Sequence, residues 1–582
     1  MKTNVTQYVF QEAKKCLKNV CSIETAKTRF PIIEWLPKYK SEYLIQDIIA
    51  GITVALTAIP QGIAYAVLAG LPPEHGLYAS LTSGIVYVFF GSCYNVTVGP
   101  TAILASMVAK YVSNYSPDFA ILTGFLTGVF IFVLGILNLG FLVEFISIPV
   151  ITGFTTAAAL QIAAAQLKSL FGTQGSSGNY FAESMNIFFN NITTMKLWEP
   201  VLGFGTIMML ILLKKMGEGC NRTDGILKQT RWFISLSRNA VVVIVGMIIA
   251  YVIKVTMNTE PLAVIGDIGS GLPKFSWPPF STTVGNETYN FIDMIQVLGV
   301  QSVAIPFVAI LETVAIAKAF AEDGRIDATQ EMIAVGLCNI IGSFGQSMPI
   351  TGSFARTALN HISGVKTPAG GVTKVLLLII ALTTLTSTFY YIPKASLAGL
   401  IITALFSMID YQIFPKIWRS SWKDLGVLFT TMVTCLVSGL EYGIIAGILC
   451  DALLLLFVVA RPTLDVNTAK TEKGDLVIIP LCENLPYCAA EHVRRRVVKA
   501  TSASSCNIPV IIDGTGLKNI DYTGAFNLMS IVQLLDKNHQ ILLLNFNSDL
   551  KNKCLNLNSR FENNFLYSSN PLELTETFTK TV

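Results

Sequence analysis

Val98-Gly99-Pro100-Thr101 and Thr351-Gly352-Ser353-Phe354 each interrupt a long apolar stretch and lead into a short helical run. Gly/Pro-interrupted segments at corresponding places in two halves of a membrane chain are the sequence mark of a binding site at mid-membrane. A helix that begins at that depth aims its unpaired N–H groups and the positive end of its dipole at whatever sits there. Two such ends facing one cavity suit an anion.

The surrounding composition makes the membrane setting firm. Of 582 residues, 52% are hydrophobic and 13% charged, against about 25% charged in ordinary soluble domains. Residues 48–73, 75–109, 119–143 and 145–167 contain no Asp, Glu, Lys or Arg, and a bilayer crossing needs roughly 20 apolar residues. Hydropathy places helices 1 and 2 near 44–68 and 76–92, half-helix 3 from about Gly99, and helices 4 to 7 near 119–140, 146–171, 200–214 and 239–256. Helices 8 and 9 are expected near 291–320 and 328–346, half-helix 10 from about Ser353, and helices 11 to 14 near 371–390, 395–410, 423–440 and 442–460.

The two halves repeat. Ile59-Pro60 recurs as Ile305-Pro306, the Gly99 break as Gly352, and Ile148-Pro149 as Ile392-Pro393, at offsets of 246, 253 and 244 residues. Seven elements per half is odd, so the second half is inverted relative to the first, with the site where the repeats meet. The expected fold is an α-helical polytopic membrane protein, a 7+7 inverted-repeat transporter of about fourteen elements.

Charge placement sets the orientation. Eight Lys or Arg precede Ser41, and 214–238 holds Lys214, Lys215, Arg222, Lys228, Arg231 and Arg238. By contrast 172–200 and 257–290 hold one basic residue each. By the positive-inside rule the N-terminal segment 1–43 and 214–238 are cytoplasmic and the other two segments are outside or lumenal. The sequons at Asn114, Asn191 and Asn286 fall on that outer side. None of the eleven cysteines lies in the outer segments, so no disulfide framework is expected. The four histidines show no metal-ligand spacing, and no cofactor is expected.

After Arg461-Pro462 the character changes. Residues 465–582 carry twelve basic and twelve acidic residues and no spanning run. Strand-like Leu476–Ile479, Val510–Ile512 and Ile541–Leu544 alternate with helical patterns near 487–500 and 523–537. This reads as a small α/β domain (462–582), cytoplasmic after an even number of crossings, with no sign of nucleic-acid binding.

Asp47-Ile48-Ile49-Ala50-Gly51, Ile59-Pro60-Gln61, Ala64-Tyr65-Ala66, Ala69-Gly70-Leu71-Pro72-Pro73 and Gly76-Leu77-Tyr78-Ala79-Ser80 together resemble the signature of the SulP sulfate permeases. The tail is similar to a STAS domain. Ala309-Ile310-Leu311-Glu312, Ala315–Ala321, Arg325–Ala328 and Arg356-Thr357-Ala358 resemble the sodium-independent sulfate-anion branch of that family. The resemblance implies a transport domain (44–461) in which helices 1–4 and 8–11 move, elevator-like, against helices 5–7 and 12–14. It also implies a homodimer. The expected cargo is sulfate, with oxalate, bicarbonate or chloride as further small anions, carried by exchange or with protons. A chloride channel-like conductance or a nucleobase permease on the same fold is the alternative; a nucleobase permease is not expected to carry the STAS tail. An enzyme is disfavoured, since the chain has no metal cluster, phosphate loop or nucleophile triad. Plasma membrane and lysosomal or other endomembranes both remain open, as do cytoplasmic partners of the tail.

The expected site follows from these residues. Backbone N–H groups near Thr101, Ala102, Phe354 and Ala355, with the Thr101 and Ser353 hydroxyls, would hold the anion's oxygens. Arg356 would add a forked guanidinium; the family often has serine beside this arginine, where this chain has Ala355. Gln61 and Tyr65 are four apart, hence on one helix face, and similar family positions line the anion cavity. Glu312 sits deep in helix 8. Burial and a nearby dianion both disfavour its charged form, so sulfate is expected to bind best with Glu312 protonated. The competing expectation is a fixed ion pair with Arg356 or Lys318. In the tail, Tyr522 and Thr523 occupy the loop that carries a phosphorylatable serine in bacterial relatives, so that switch is not expected here.

Overall fold

The computed structural model describes residues 28–141, 146–175, 178, 180–217, 226–257, 262–321, 326–406, 408–464, 466–471, 474–502, 509–536 and 539–568. Of the segments read above, residues 1–27, Arg222, Arg325 and 569–582, with parts of 119–143, 145–167, 172–200, 214–238 and 257–290, lie outside them. The chain forms two compact units, residues 1–448 and 449–582.

Fourteen helical elements occur in the expected order. The first half holds α1 (Ser41–Leu68), α2 (Pro73–Phe90), α3 (Ala102–Asn114), α4 (Pro117–Ile136), α5 (Ile148–Phe171), α6 (Trp198–Met216) and α7 (Arg238–Met257). The second holds α8 (Gln301–Phe320), α9 (Ala328–Phe344), α10 (Phe354–Ile362), α11 (Gly370–Phe389), α12 (Lys394–Leu405), α13 (Trp422–Ser438) and α14 (Leu440–Ala460). Seven of them (α1, α4, α5, α7, α8, α11 and α14) are long and apolar enough to cross a membrane. Large apolar side chains such as Val201, Met208, Ile248, Val252, Val433 and Leu449 stand exposed on α6, α7, α13 and α14. Water would not tolerate that much apolar surface, whereas lipid does.

Two boundaries depart from the hydropathy reading. The segment expected as one helix over 291–320 is split: Phe291–Leu298 forms its own short helix, opened by a capping box between Asn290 and Asp293. Gly299 at φ +51 then turns the chain before α8. Helix α11 carries a wide turn at Ala381–Leu385. Both are local backbone events inside apolar sequence, invisible to hydropathy.

Packing sorts the helices into two sets. Helices α4 and α9, α1 and α2, α1 and α11, α2 and α9, and α4 and α8 form one contact network; α5 and α13, α6 and α12, and α5 and α12 form the other. Asp47 on α1 helps fix the first set, accepting hydrogen bonds from Lys366 N (2.9 Å), Thr367 N (3.1 Å) and Thr367 Oγ1 (2.6 Å) just before α11.

The second unit contains a five-stranded sheet. In chain order its strands are β3 (Asn467–Thr471), β4 (Gly474–Pro480), β5 (Val510–Asp513), β6 (Ile541–Leu544) and β7 (Phe565–Leu566), with β1 and β2 reserved for the two breaks described below. The spatial order is β7-β6-β5-β4-β3. Strands β4 to β7 run parallel and β3 is antiparallel. The three strand-like pieces recognised in the sequence are its three central strands, apolar on both faces as buried parallel strands must be. Helices α15 (Tyr487–Ser502) and α16 (Tyr522–Leu535) pack together. Asp521 caps α16 by accepting from Gly524 N at 2.7 Å. Arg494 and Arg495 pair with Glu491 on the exposed side of α15.

Candidate anion site

The two breaks do not merely face each other; they pair. Val98–Gly99 (β1) and Thr351–Gly352 (β2) form a two-residue antiparallel ladder, with Val98 opposite Gly352 and Gly99 opposite Thr351. Under the 253-residue repeat offset, each residue of β1 faces the repeat-mate of its neighbour, which is the pairing an in-plane two-fold requires. Because the strands are antiparallel, α3 and α10 leave the ladder in opposite directions. Ser353 N extends the ladder by donating to Thr97 O at 3.0 Å.

Side chains hold the ladder from both sides. Ser83 Oγ donates to Val98 O at 3.0 Å. Thr351 Oγ1 donates to Ala309 O at 2.7 Å, and Gly352 N donates to Thr313 Oγ1 at 3.0 Å. Asn339 clips Ile350 twice, donating to its carbonyl and accepting from its N–H, each at 2.9 Å.

The helix ends are not closed by their own side chains. Thr101 and Ser353 are the N-cap residues of α3 and α10, and neither side chain caps its own helix. The first-turn amides of 102–104 and 354–356 therefore keep their donors, as at anion-binding helix ends. Thr101 Oγ1 turns to Glu312 instead, donating to Oε2 at 3.3 Å.

Arg356 dominates the electrostatics. It stands in the first turn of α10, is 1% exposed, and sends Nη2 back to the Pro100 carbonyl at 2.7 Å. A residue of the second half thus lies across the break of the first. Its Nε and Nη1 are buried and have no hydrogen-bond acceptor among the described residues. Gly99 makes room for it: a Cβ there would meet Nη2 at 3.1 Å. An unpaired buried guanidinium costs several kcal/mol, roughly what a bidentate oxyanion would return.

Glu312 is half-buried on α8, and Lys318 is exposed beyond it. No ion pair joins Glu312 to Arg356 or Lys318 among the described residues, so the fixed-pair expectation is not met. Tyr65 is buried and feels the charges of both Arg356 and Glu312. Gln61, one turn earlier on α1, is buried with its Oε1 unpartnered. The Phe354 ring points outward and stacks edge-on with Phe320 at 5.2 Å, so only its backbone serves the site. Sequence reasoning overlooked Lys374, the sole charge in α11. The rule that singled out Arg356 and Glu312, a charge inside a membrane helix, applies to it equally.

A second polar cavity, of about 40 Å³, lies among α3, α5, α8 and α14, lined by Lys110, Gln161, Gln301 and Glu441. Lys110 and Glu441 form an ion pair there at 3.5 Å.

Antiparallel pairing of repeat-related breaks, flanked by two oppositely directed half-helices, defines an inverted-repeat membrane transporter. The chain matches the Sulfate permease family over residues 44–431. It is 38% identical to the sodium-independent sulfate anion transporter of Bos taurus, across 90% of this chain and 87% of that protein. It is 33% identical to a probable sulfate permease of Schizosaccharomyces pombe, across 79% of this chain but only 54% of that longer protein. The murine Slc26a9 anion transporter in its inward-facing state shares the fold, with a TM-score of 0.84 at 22% identity, over 97% of this chain and 96% of that one. This chain belongs to the sulfate permease family, with the STAS-type α/β domain following the helical domain.

Proposed function

We propose that this chain is a secondary transporter of sulfate that carries a proton with each anion. The observation that carries the reading is the Arg356 guanidinium, buried at the paired breaks with Nε and Nη1 unpartnered. Sulfate oxygens would take those donors together with the first-turn amides of α3 and α10, the Ser353 hydroxyl and the Gln61 and Tyr65 side chains. Oxalate, bicarbonate and chloride would compete for the same donors.

Glu312 supplies the coupling. As a carboxylate it would repel an approaching dianion, and its one hydrogen bond, from Thr101, does not fix it in place. Protonated, it no longer opposes the anion's charge. Sulfate and the proton therefore enter and leave together. The absence of a Glu312 ion pair among the described residues favours this role over a structural one.

Access would alternate by movement of α1–α4 and α8–α11 as one body against α5–α7 and α12–α14, in an elevator-like manner and in a homodimer. The two packing networks support that division. The Lys110–Glu441 pair joins α3 to α14 across it, and would have to break in each cycle. The N-terminal segment and the STAS domain are placed in the cytoplasm on the Lys/Arg distribution.

Labelled-sulfate uptake into proteoliposomes, with and without an inward proton gradient and with chloride inside, tests the reading. The gradient is expected to accelerate uptake in the wild type and to have no effect in Glu312→Gln. Uptake driven only by internal chloride, with equal pH dependence in both proteins, would make the chain an exchanger and remove the coupling role of Glu312.

A further inference from the structure

Lys374 is 4% exposed and lies inside α11, where no other residue is charged. Among the described residues its only hydrogen bond runs from Nζ to the Val98 carbonyl, at 3.3 Å, and no carboxylate pairs with it. Its stem is fixed in place. Gly84 on α2 lies so close that a Cβ there would come within 2.8 Å of Lys374 Cε. The ammonium therefore does not reach toward a membrane surface, as lysines near helix ends do. It borders a small cavity of about 30 Å³ with Tyr94, Thr97, Asn360 and Thr367.

Val98 belongs to β1, the strand on whose next residue, Gly99, the Arg356 guanidinium rests. Two cations thus flank one extended dipeptide: Arg356 at Gly99 and Pro100, Lys374 at Val98. Asp47 and Glu331, behind the Lys374 cavity, are each taken up by their own donors, Thr367 and Tyr87 among them; Glu312, beside Thr101, is neutral once protonated. Buried charge left uncompensated is costly. Two cations are compensated by a dianion and only half compensated by a monoanion.

We propose that Lys374 sets the charge selectivity of the transporter, its ammonium form serving as a second positive charge that favours dianions over monoanions. The inference rests on the reading that the paired breaks hold the anion. Lys374 acts on the bound anion across β1, so it is a specificity-determining residue and need not touch sulfate. Coulomb attraction doubles with the charge of the anion. Across roughly 8–10 Å at an effective dielectric of about 20, each unit of anion charge corresponds to about twentyfold in affinity.

The test uses full-length wild type, Lys374→Met, Lys374→Gln and Lys374→Arg in proteoliposomes. The KM for labelled sulfate is measured alongside the inhibition constant of nitrate, a monoanion that also binds through its oxygens. Gln keeps a donor for the Val98 carbonyl without the charge, and Arg keeps the charge. The KM for sulfate is expected to rise about twentyfold more than the nitrate constant in both neutral variants, and the ratio to recover in Lys374→Arg. Equal shifts for both anions, or none, would overturn the proposal. Failure of both neutral variants to yield monodisperse protein would assign the lysine to the fold and overturn it as well. A wild type that takes up no sulfate would instead strike the proposed function itself, and this inference would fall with it.

Discussion

Glu331 and Glu312 are carboxylates on successive helices of one bundle, and their surroundings could hardly differ more. Glu331, in the first turn of α9, is fully buried and accepts from Tyr87 OH (2.9 Å), Ser92 N (3.0 Å), Ser92 Oγ (2.5 Å) and Cys93 N (3.1 Å). Glu312 is half-buried and accepts one bond, of 3.3 Å, from Thr101. Four donors hold a carboxylate in one position. A single weak hydroxyl leaves it able to change protonation and partner. The first carboxylate is built into the fold; the second is poised for exchange. The count of donors separates them.

The largest effect should come from breaking the satisfied carboxylate. Glu331→Gln turns an amide N–H₂ toward groups that were donating, and loss of one partner from such a buried network costs about 3–5 kcal/mol. A fall of several degrees in the melting temperature of detergent-solubilised protein is expected. Glu312→Gln should shift the same melting temperature by about 1 °C or less, because little native bonding is lost. Equal destabilisation by both variants would break the contrast, and with it the argument that Glu312 is free to carry a proton.

A smaller effect sharpens the account of the guanidinium. Gly99→Ala places a methyl at 3.1 Å from Arg356 Nη2, a contact that the side chain can relieve only by shifting. The KM for sulfate is expected to rise about threefold to tenfold, which corresponds to roughly 1 kcal/mol of misplacement, with the maximal rate of uptake little changed. An unaltered KM would mean that the guanidinium's position at the first break has no bearing on binding.

Much of this arrangement is legible in the sequence, for physical reasons that can be traced residue by residue. The breaks are written in Gly99, Pro100 and Gly352, residues that interrupt helices by their own backbone chemistry. The repeat is visible because Pro60 and Pro306 punctuate equivalent helices. The three central strands of the tail are visible because strands buried on both faces become continuous apolar runs. Arg356 and Glu312 stand out as charges amid apolar residues. Their partners do not: Arg356 reaches the Pro100 carbonyl 256 residues away, and nothing local encodes that bond. The same is true of the β1–β2 register, which depends on how two distant halves fold together. The turn at Gly299 is missed because Val297, Leu298 and Val300 keep the hydropathy high through it. Lys374 carries the same signal as Arg356, a charge amid apolar residues after Pro368 and Gly370-Gly371, but only its bond to the distant Val98 carbonyl places it at the site.

The central claim is that Arg356, laid across the first break from the second half, holds the anion. The most direct test is equilibrium binding of labelled sulfate to purified wild type and to Arg356→Gln, with melting temperatures measured on the same samples. The account predicts that Arg356→Gln remains folded, since it removes an unpaired buried charge, and that its sulfate affinity falls by about 100-fold, the loss of two charge-assisted hydrogen bonds. Folded Arg356→Gln protein that binds sulfate as tightly as the wild type would contradict it.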